Sequence, residues 1–167
     1  MAANVEVDEA NGAGQTLSHD VDNSNMGAAD SPDLVAVDNP ITPGTRTYIK
    51  YQKLHITDMG GSSKINNIRV WRDGALGGAA SHVTNARTSS YAGALAYATP
   101  VRTAVATVDQ EMPAAEPGSA NLGIGGALDG ELTDVGTSDY LGHQIIADNA
   151  DVAGSISTMH YQYEETA

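Results

Sequence analysis

The sequence predicts an all-β chain, an antiparallel β-sandwich of the Ig-like or jelly-roll type with about six to seven strands and an extended N-terminal arm. Three observations predict it. Short segments rich in β-branched and aromatic residues recur, glycine- and proline-rich connections separate them, and no segment carries the apolar repeat of an amphipathic helix.

The first 44 residues are rich in Asn, Asp, Gly, Ala and Ser, sustain no regular apolar period, and end in DNPITPG with Pro40 and Pro43. They predict an extended acidic arm (1–44) ahead of a β-sandwich body (45–167). Apolar residues recur in the arm too widely to build a core of their own. Leu34, Val35, Val37 and Ile41 are the candidate partner-interface residues.

The body opens with TRTYIKYQKLHIT (45–57), where Ile49 and Tyr51 fall on odd positions but Leu54 and Ile56 on even ones. That parity change predicts either a bulge near Gln52 or a strand apolar on both faces. After the turn residues DMGGSS, KINNIRVWR (64–72) predicts a strand with Ile68 and Val70 on one face and Ile65 and Trp71 on the other. Asp73-Gly74 closes it. Residues 75–99 are mostly small and predict a long irregular connection with a short strand around 82–86. VRTAVATVD (101–109) alternates as a strand with one buried face. The closing strands, SDYLGHQIIA (138–147) and SISTMHYQYEE (155–165), are expected to pair as a late hairpin.

Composition narrows the function classes. The chain has 167 residues, 8 Lys and Arg against 21 Asp and Glu, a net charge of −13, and no cysteine. The acidity disfavours nucleic acid as a partner. Without cysteine there is no disulfide framework, thiolate metal site or Cys nucleophile. The acidic N-terminus lacks the pattern of a signal peptide, and no apolar run is long enough to suggest a membrane span. All eight bases fall between Arg46 and Arg102, flanked by acidic stretches. Such a minus-plus-minus chain can lay its acidic segments against a basic face, its own or that of a neighbouring copy.

Signatures of chemistry are sparse. NLGIGGALDG fails the dinucleotide fingerprint because position 128 is leucine, and GGSSK misplaces the lysine of a phosphate loop. There is no Gly-x-Ser-x-Gly elbow and no His-Glu-x-x-His pair. The histidines at 19, 55, 82, 143 and 160 are scattered singly, which favours structural roles over metal ligation. DVDNSNMGAADSPD (20–33) gathers calcium-type side chains, but the twelfth loop position is Asp33 rather than Glu and flanking helices are missing, so acidic solvation is the better reading. Trp71 with Tyr48 and Tyr51 could form a sugar platform, although a single Trp on a strand is more often core. No catalytic residue, cofactor or metal ligand is assigned.

The segments SSKINNIRVWRDGALGG, HVTNARTSSYAGALAYATPV, EMPAAEPGSANLGIGGALDGELTDVGTSDYLGHQI and MHYQYEE resemble small virion structural proteins of tailed bacteriophages over about residues 45–165. The resemblance implies a non-enzymatic β-rich component of the particle. A head decoration (cement) subunit is the leading case and a tail, neck or baseplate component the alternative. It further implies synthesis in the host cytoplasm, a place on the virion, and as partners the major capsid protein and copies of the chain itself, in a small homo-oligomer such as a trimer. Neither nucleic acid nor membrane is expected as a partner. A carbohydrate-binding or host-adhesion module is the reading from another class.

Overall fold

The computed structural model describes residues 1–74, 76–77, 80–86, 94–105, 110–149 and 157–167. Its strands are β1 (Asn4–Asn11), β2 (Thr16–Ser18), β3 (Lys50–Asp58), β4 (Lys64–Asp73), β5 (Ser81–Thr84), β6 (Gln110–Glu111), β7 (Glu131–Leu132), β8 (Gly136–Thr137), β9 (Leu141–Ile146) and β10 (Thr158–Thr166). The helical part among them is a single 3-10 turn, Ala36–Asp38. The strands form two antiparallel sheets. The larger has the order β2-β1-β3-β9-β5-β6, with β8 also paired to β3, and the smaller has the order β10-β4-β7.

The inner faces meet as a sandwich. Val5 and Val7 of β1, Leu54 of β3 and Leu141 of β9 pack against Ile68 and Val70 of β4 and Met159, Tyr161 and Tyr163 of β10, with Met112, Leu122 and Ile124 contributed by the connections. A second apolar cluster covers the opposite face of the large sheet, where Ile49, Tyr51 and Val83 lie under Leu95, Tyr97 and Val105. Strand β3 is therefore apolar on both faces. Its register with β1 runs unbroken from Ile56 to Tyr51, so no bulge interrupts it at Gln52. Gly142 makes the second cluster feasible, because a Cβ there would run into Leu95 and Val105.

In the small sheet a bulge does occur. The β4–β10 register shifts between Gln162 and Glu164, where Asn67 adopts φ 51°. One extra residue resets the alternation. Ile65 is consequently buried like Ile68 and Val70, while Trp71 stays on the outward face, partly exposed and stacked on His160 with ring centroids 4.9 Å apart. The expectations that Ile65 shares a face with Trp71 and that Trp71 is core are both corrected. Beyond β7, the β4 edge is satisfied by the chain around residue 121. Asn121 accepts from Val70 N–H through Oδ1 (2.7 Å) and donates from Nδ2 to Val70 C=O (2.8 Å), and Arg72 N–H donates to Pro113 C=O. This covers an otherwise open strand edge.

The acidic arm is corrected as well. Residues 4–11 form a strand between β2 and β3, so no boundary separates 1–44 from 45–167. The connection that follows folds back onto the body: Val21 N–H donates to Val7 C=O, Tyr48 N–H to Gly27 C=O, and Lys50 Nζ to Ser31 C=O. The physical reason lies in NVEVDEAN, whose alternation puts Val5 and Val7 into the core and the polar residues between them on the other face. The late hairpin is also not formed, since β9 pairs with β3 and β5 while β10 pairs with β4 in the other sheet. Met159, Tyr161 and Tyr163 face the core from the smaller sheet, a placement closed to a direct β9 partner. Residues 101–105 run irregularly over the large sheet, and 106–109, the rest of that expected strand, lie outside the described residues.

The flanking acids meet the central bases within one chain. Lys50 pairs with Glu9, Lys64 with Glu131, and Arg69 with Glu116 and Glu164.

Candidate metal centre

Strand register brings four potential ligands to one spot on the outer face of the large sheet. Glu6 and Asp8 are two apart on β1 and so share that face. Glu6 lies opposite His55 of β3, and Glu9 lies opposite Ser18 of β2, so the next residue, His19, falls beside Asp8. Asp20 then takes φ 52° as the chain turns away.

The donor atoms converge. His19 Nδ1 lies 2.8 Å from Asp8 Oδ1 and 3.5 Å from Glu6 Oε1, and His55 Nδ1 lies 3.0 Å from Glu6 Oε1 and 3.2 Å from Asp8 Oδ2. One donor atom from each residue fits within a 4.8 Å sphere of mutual distances. Burial is graded across the group: the Asp8 side chain is 1 % exposed, Glu6 and His55 are partly buried, and His19 is 56 % exposed and roofs the group. Among the described residues, no lysine or arginine forms an ion pair with Glu6 or Asp8. Lys53, opposite Asp8 in register, instead places Nζ over the Tyr140 ring, 5.4 Å from its centroid. Among the described residues, two carboxylates thus face two imidazoles as their basic partners. Sequence reasoning missed this group, because its carboxylates sat in a segment read as an arm and its histidines are 36 residues apart.

On the inner face of the same strands lies a different polar group. Glu9 Oε1 accepts from Lys50 Nζ at 2.8 Å, and Glu9 Oε2 accepts from Ser24 Oγ and from Gln52 Nε2 (3.2 Å). That last bond fixes the Gln52 amide, whose Oε1 accepts from the Tyr161 hydroxyl (2.7 Å) and from His143 Nε2 (3.2 Å). His143 Nδ1 is then the acceptor for His82 Nε2–H at 2.9 Å, which leaves His82 Nδ1 buried without a hydrogen-bond partner among the described residues. Burial holds both histidines far below the ordinary range. His82 falls to about 2, helped by the charges of His143 and Arg72, and His143 falls to about 3, helped by Lys50. Burial, with the Glu9 charge, also pushes the Tyr161 hydroxyl upward. The network thus joins two buried, neutral imidazoles to a protonated phenol.

The four interface residues read from the sequence do not act alike. Leu34 is 3 % exposed, its Cδ2 close to Gly27 of the same N-terminal segment, and Ile41 is partly buried. Val35 and Val37, at the 3-10 turn, are 53 % and 83 % exposed. The calcium-type segment does not gather its side chains: Asp30 accepts from Gly12 N–H and Asn11 Nδ2, and Asn25 donates to Leu34 C=O. Trp71 and Tyr51 lie on different sheets, with Tyr51 packed against Tyr97 and Tyr140, so they form no joint platform. Among the described residues, one shallow groove runs along Gln15, Lys53, Tyr97 and Tyr140 and another along Asn66, Ser119, Leu128 and Glu164. No helix among the described residues is long and apolar enough to cross a membrane. No family model matches the chain, and neither does any curated protein or solved structure.

Proposed function

We propose that the chain is a non-enzymatic structural subunit of a tailed-bacteriophage particle, a capsid decoration protein that binds the outer surface of the head. The observation that carries this reading is the turn at 34–38. Leu34 is buried while Val35 and Val37 project into solvent, an apolar pair presented by a short 3-10 turn. Such a pair suits a pocket on a neighbouring subunit, where buried apolar anchors supply most of the binding energy. The resemblance of residues 45–165 to small virion proteins supports the particle, and the acidic balance suits an exterior position away from packaged DNA.

The test is cryo-electron microscopy of purified capsid shells mixed with the full chain and with a V35D/V37D variant. Density on the outer shell, reduced at least tenfold in occupancy by the variant, supports decoration. Density at the tail or neck of intact particles would assign the chain there instead. Failure to attach anywhere would overturn the reading.

A sugar-binding module is kept as a second reading because Trp71 is partly exposed on the outward face of β4, stacked on His160, whose Nε2 lies 2.9 Å from Asp73 Oδ2. Indole faces of this kind stack on sugar rings. Glycan-array binding lost in Trp71→Ala would favour it.

A further inference from the structure

We propose that Glu6, Asp8, His19 and His55 form a structural site for one divalent transition-metal ion, zinc(II) by preference. The first argument is geometric. Four ligands placed tetrahedrally at about 2.0–2.2 Å from zinc are separated from each other by about 3.3–3.6 Å. The nitrogen–oxygen contacts across this group run from 2.8 to 3.5 Å, with His19 meeting Asp8 Oδ1 and His55 meeting Asp8 Oδ2, and one donor atom from each residue lies within 4.8 Å of the others, so a modest side-chain adjustment brings four donors around one ion.

The second argument is chemical. Two imidazole nitrogens and two carboxylate oxygens form the mixed set that zinc accepts, whereas calcium and magnesium prefer all-oxygen sites. Both histidines turn Nδ1 toward the carboxylates, the atom that would ligate once its proton leaves. The third argument is electrostatic. Asp8 is almost wholly buried and Glu6 stands beside it, with no lysine or arginine paired to either among the described residues. With neutral histidines the group carries a charge of about −2, and a divalent cation removes the mutual repulsion.

Four protein ligands fill a tetrahedral shell and leave no open position, which marks the site as structural rather than catalytic. Its ligands come from β1, from the residue after β2 and from β3. The ion would therefore tie the β1–β2 hairpin to the middle of the large sheet, a useful cross-link in a chain with no cysteine and no phenylalanine. The site is independent of the particle assignment, since it is built within one chain.

The experiment is titration of the metal-stripped full-length chain with zinc(II) by calorimetry at pH 7.5, alongside cobalt(II) as a spectroscopic probe. Expected are one equivalent bound, a higher melting temperature, and visible cobalt(II) bands of four-coordinate type. H19A changes an exposed side chain at a strand end and should stay folded yet lose at least tenfold in affinity. H55Q should do the same, and D20N, one residue outside the group, should match the wild type. Absence of one-to-one binding, or affinity unchanged in both H19A and H55Q, would overturn the site. So would a calcium-only response, and so would histidine NMR signals that titrate with pH but ignore zinc(II).

Discussion

Lys50 Nζ sits 2.8 Å from Glu9 Oε1 with both side chains 1 % exposed, a charge pair sealed between the two sheets and joined across the β1–β3 ladder. Each charge is costly without the other. Lys50→Met should leave Glu9 buried with Ser24 and Gln52 as its remaining partners among the described residues and destabilise by about 3–5 kcal/mol. Adding Glu9→Gln should recover more than the ~0.5 kcal/mol by which independent changes fail to add. Urea unfolding of the two single variants and the double variant measures this. Strictly additive losses would mean that the pair is not coupled.

Acid should weaken the fold through His82 and His143. In the folded chain their values are lowered to about 2 and about 3, while an unfolded histidine titrates near ~6.5. Above about pH 6.5 neither state binds the extra protons. Below it the unfolded chain binds more, so stability falls as pH drops through the window toward about 3. Each histidine contributes a slope approaching about 1.4 kcal/mol per pH unit inside that window. Unfolding free energies of wild type and His143→Gln at pH 7.5, 6 and 5 should show a shallower slope for the variant, whatever its absolute stability. Identical slopes would place the proton uptake elsewhere.

What the sequence disclosed follows the strength of its local signals. TRTYIKYQKLHIT carried enough β-branched and aromatic residues to announce a strand, and its parity change was real, because Tyr51 and Leu54 serve apolar clusters on opposite faces. NVEVDEAN was hidden because Glu, Asp and Asn are poor strand formers and only two valines mark its inner face. With β1 unseen, the metal-type cluster could not be seen either, since Glu6 meets His55 only through that register. The failed β9–β10 hairpin has another cause. Neighbouring strands in sequence offer no local signal when the chain crosses to the second sheet between them.

Removing residues 1–11 should abolish the fold rather than release an arm. The deletion takes away β1, strips β3 of a partner along seven register positions, removes Val5 and Val7 from the core, and leaves Lys50 buried without Glu9. Circular dichroism and urea titration of the truncated chain should show no cooperative transition at neutral pH. A truncated chain with a sharp transition near the wild-type midpoint would mean that the remaining strands form an independent body.

Asn67 should be replaceable by glycine but not by valine. Its φ of 51° lies in the left-handed region, where asparagine is tolerated and a β-branched side chain clashes with its own backbone. Asn67→Val should cost about 1–2 kcal/mol for that conformation. Asn67→Gly relieves the backbone and loses only an exposed hydrogen bond from Nδ2 to Glu164 Oε1, so its change should stay within about 0.5 kcal/mol. The two substitutions separate backbone geometry from side-chain bonding. Equal losses in both would show that the Glu164 contact holds the bulge; a loss confined to valine would show that the positive φ does. That φ is what turns Ile65 inward beside Ile68 and Val70 and leaves Trp71 facing out.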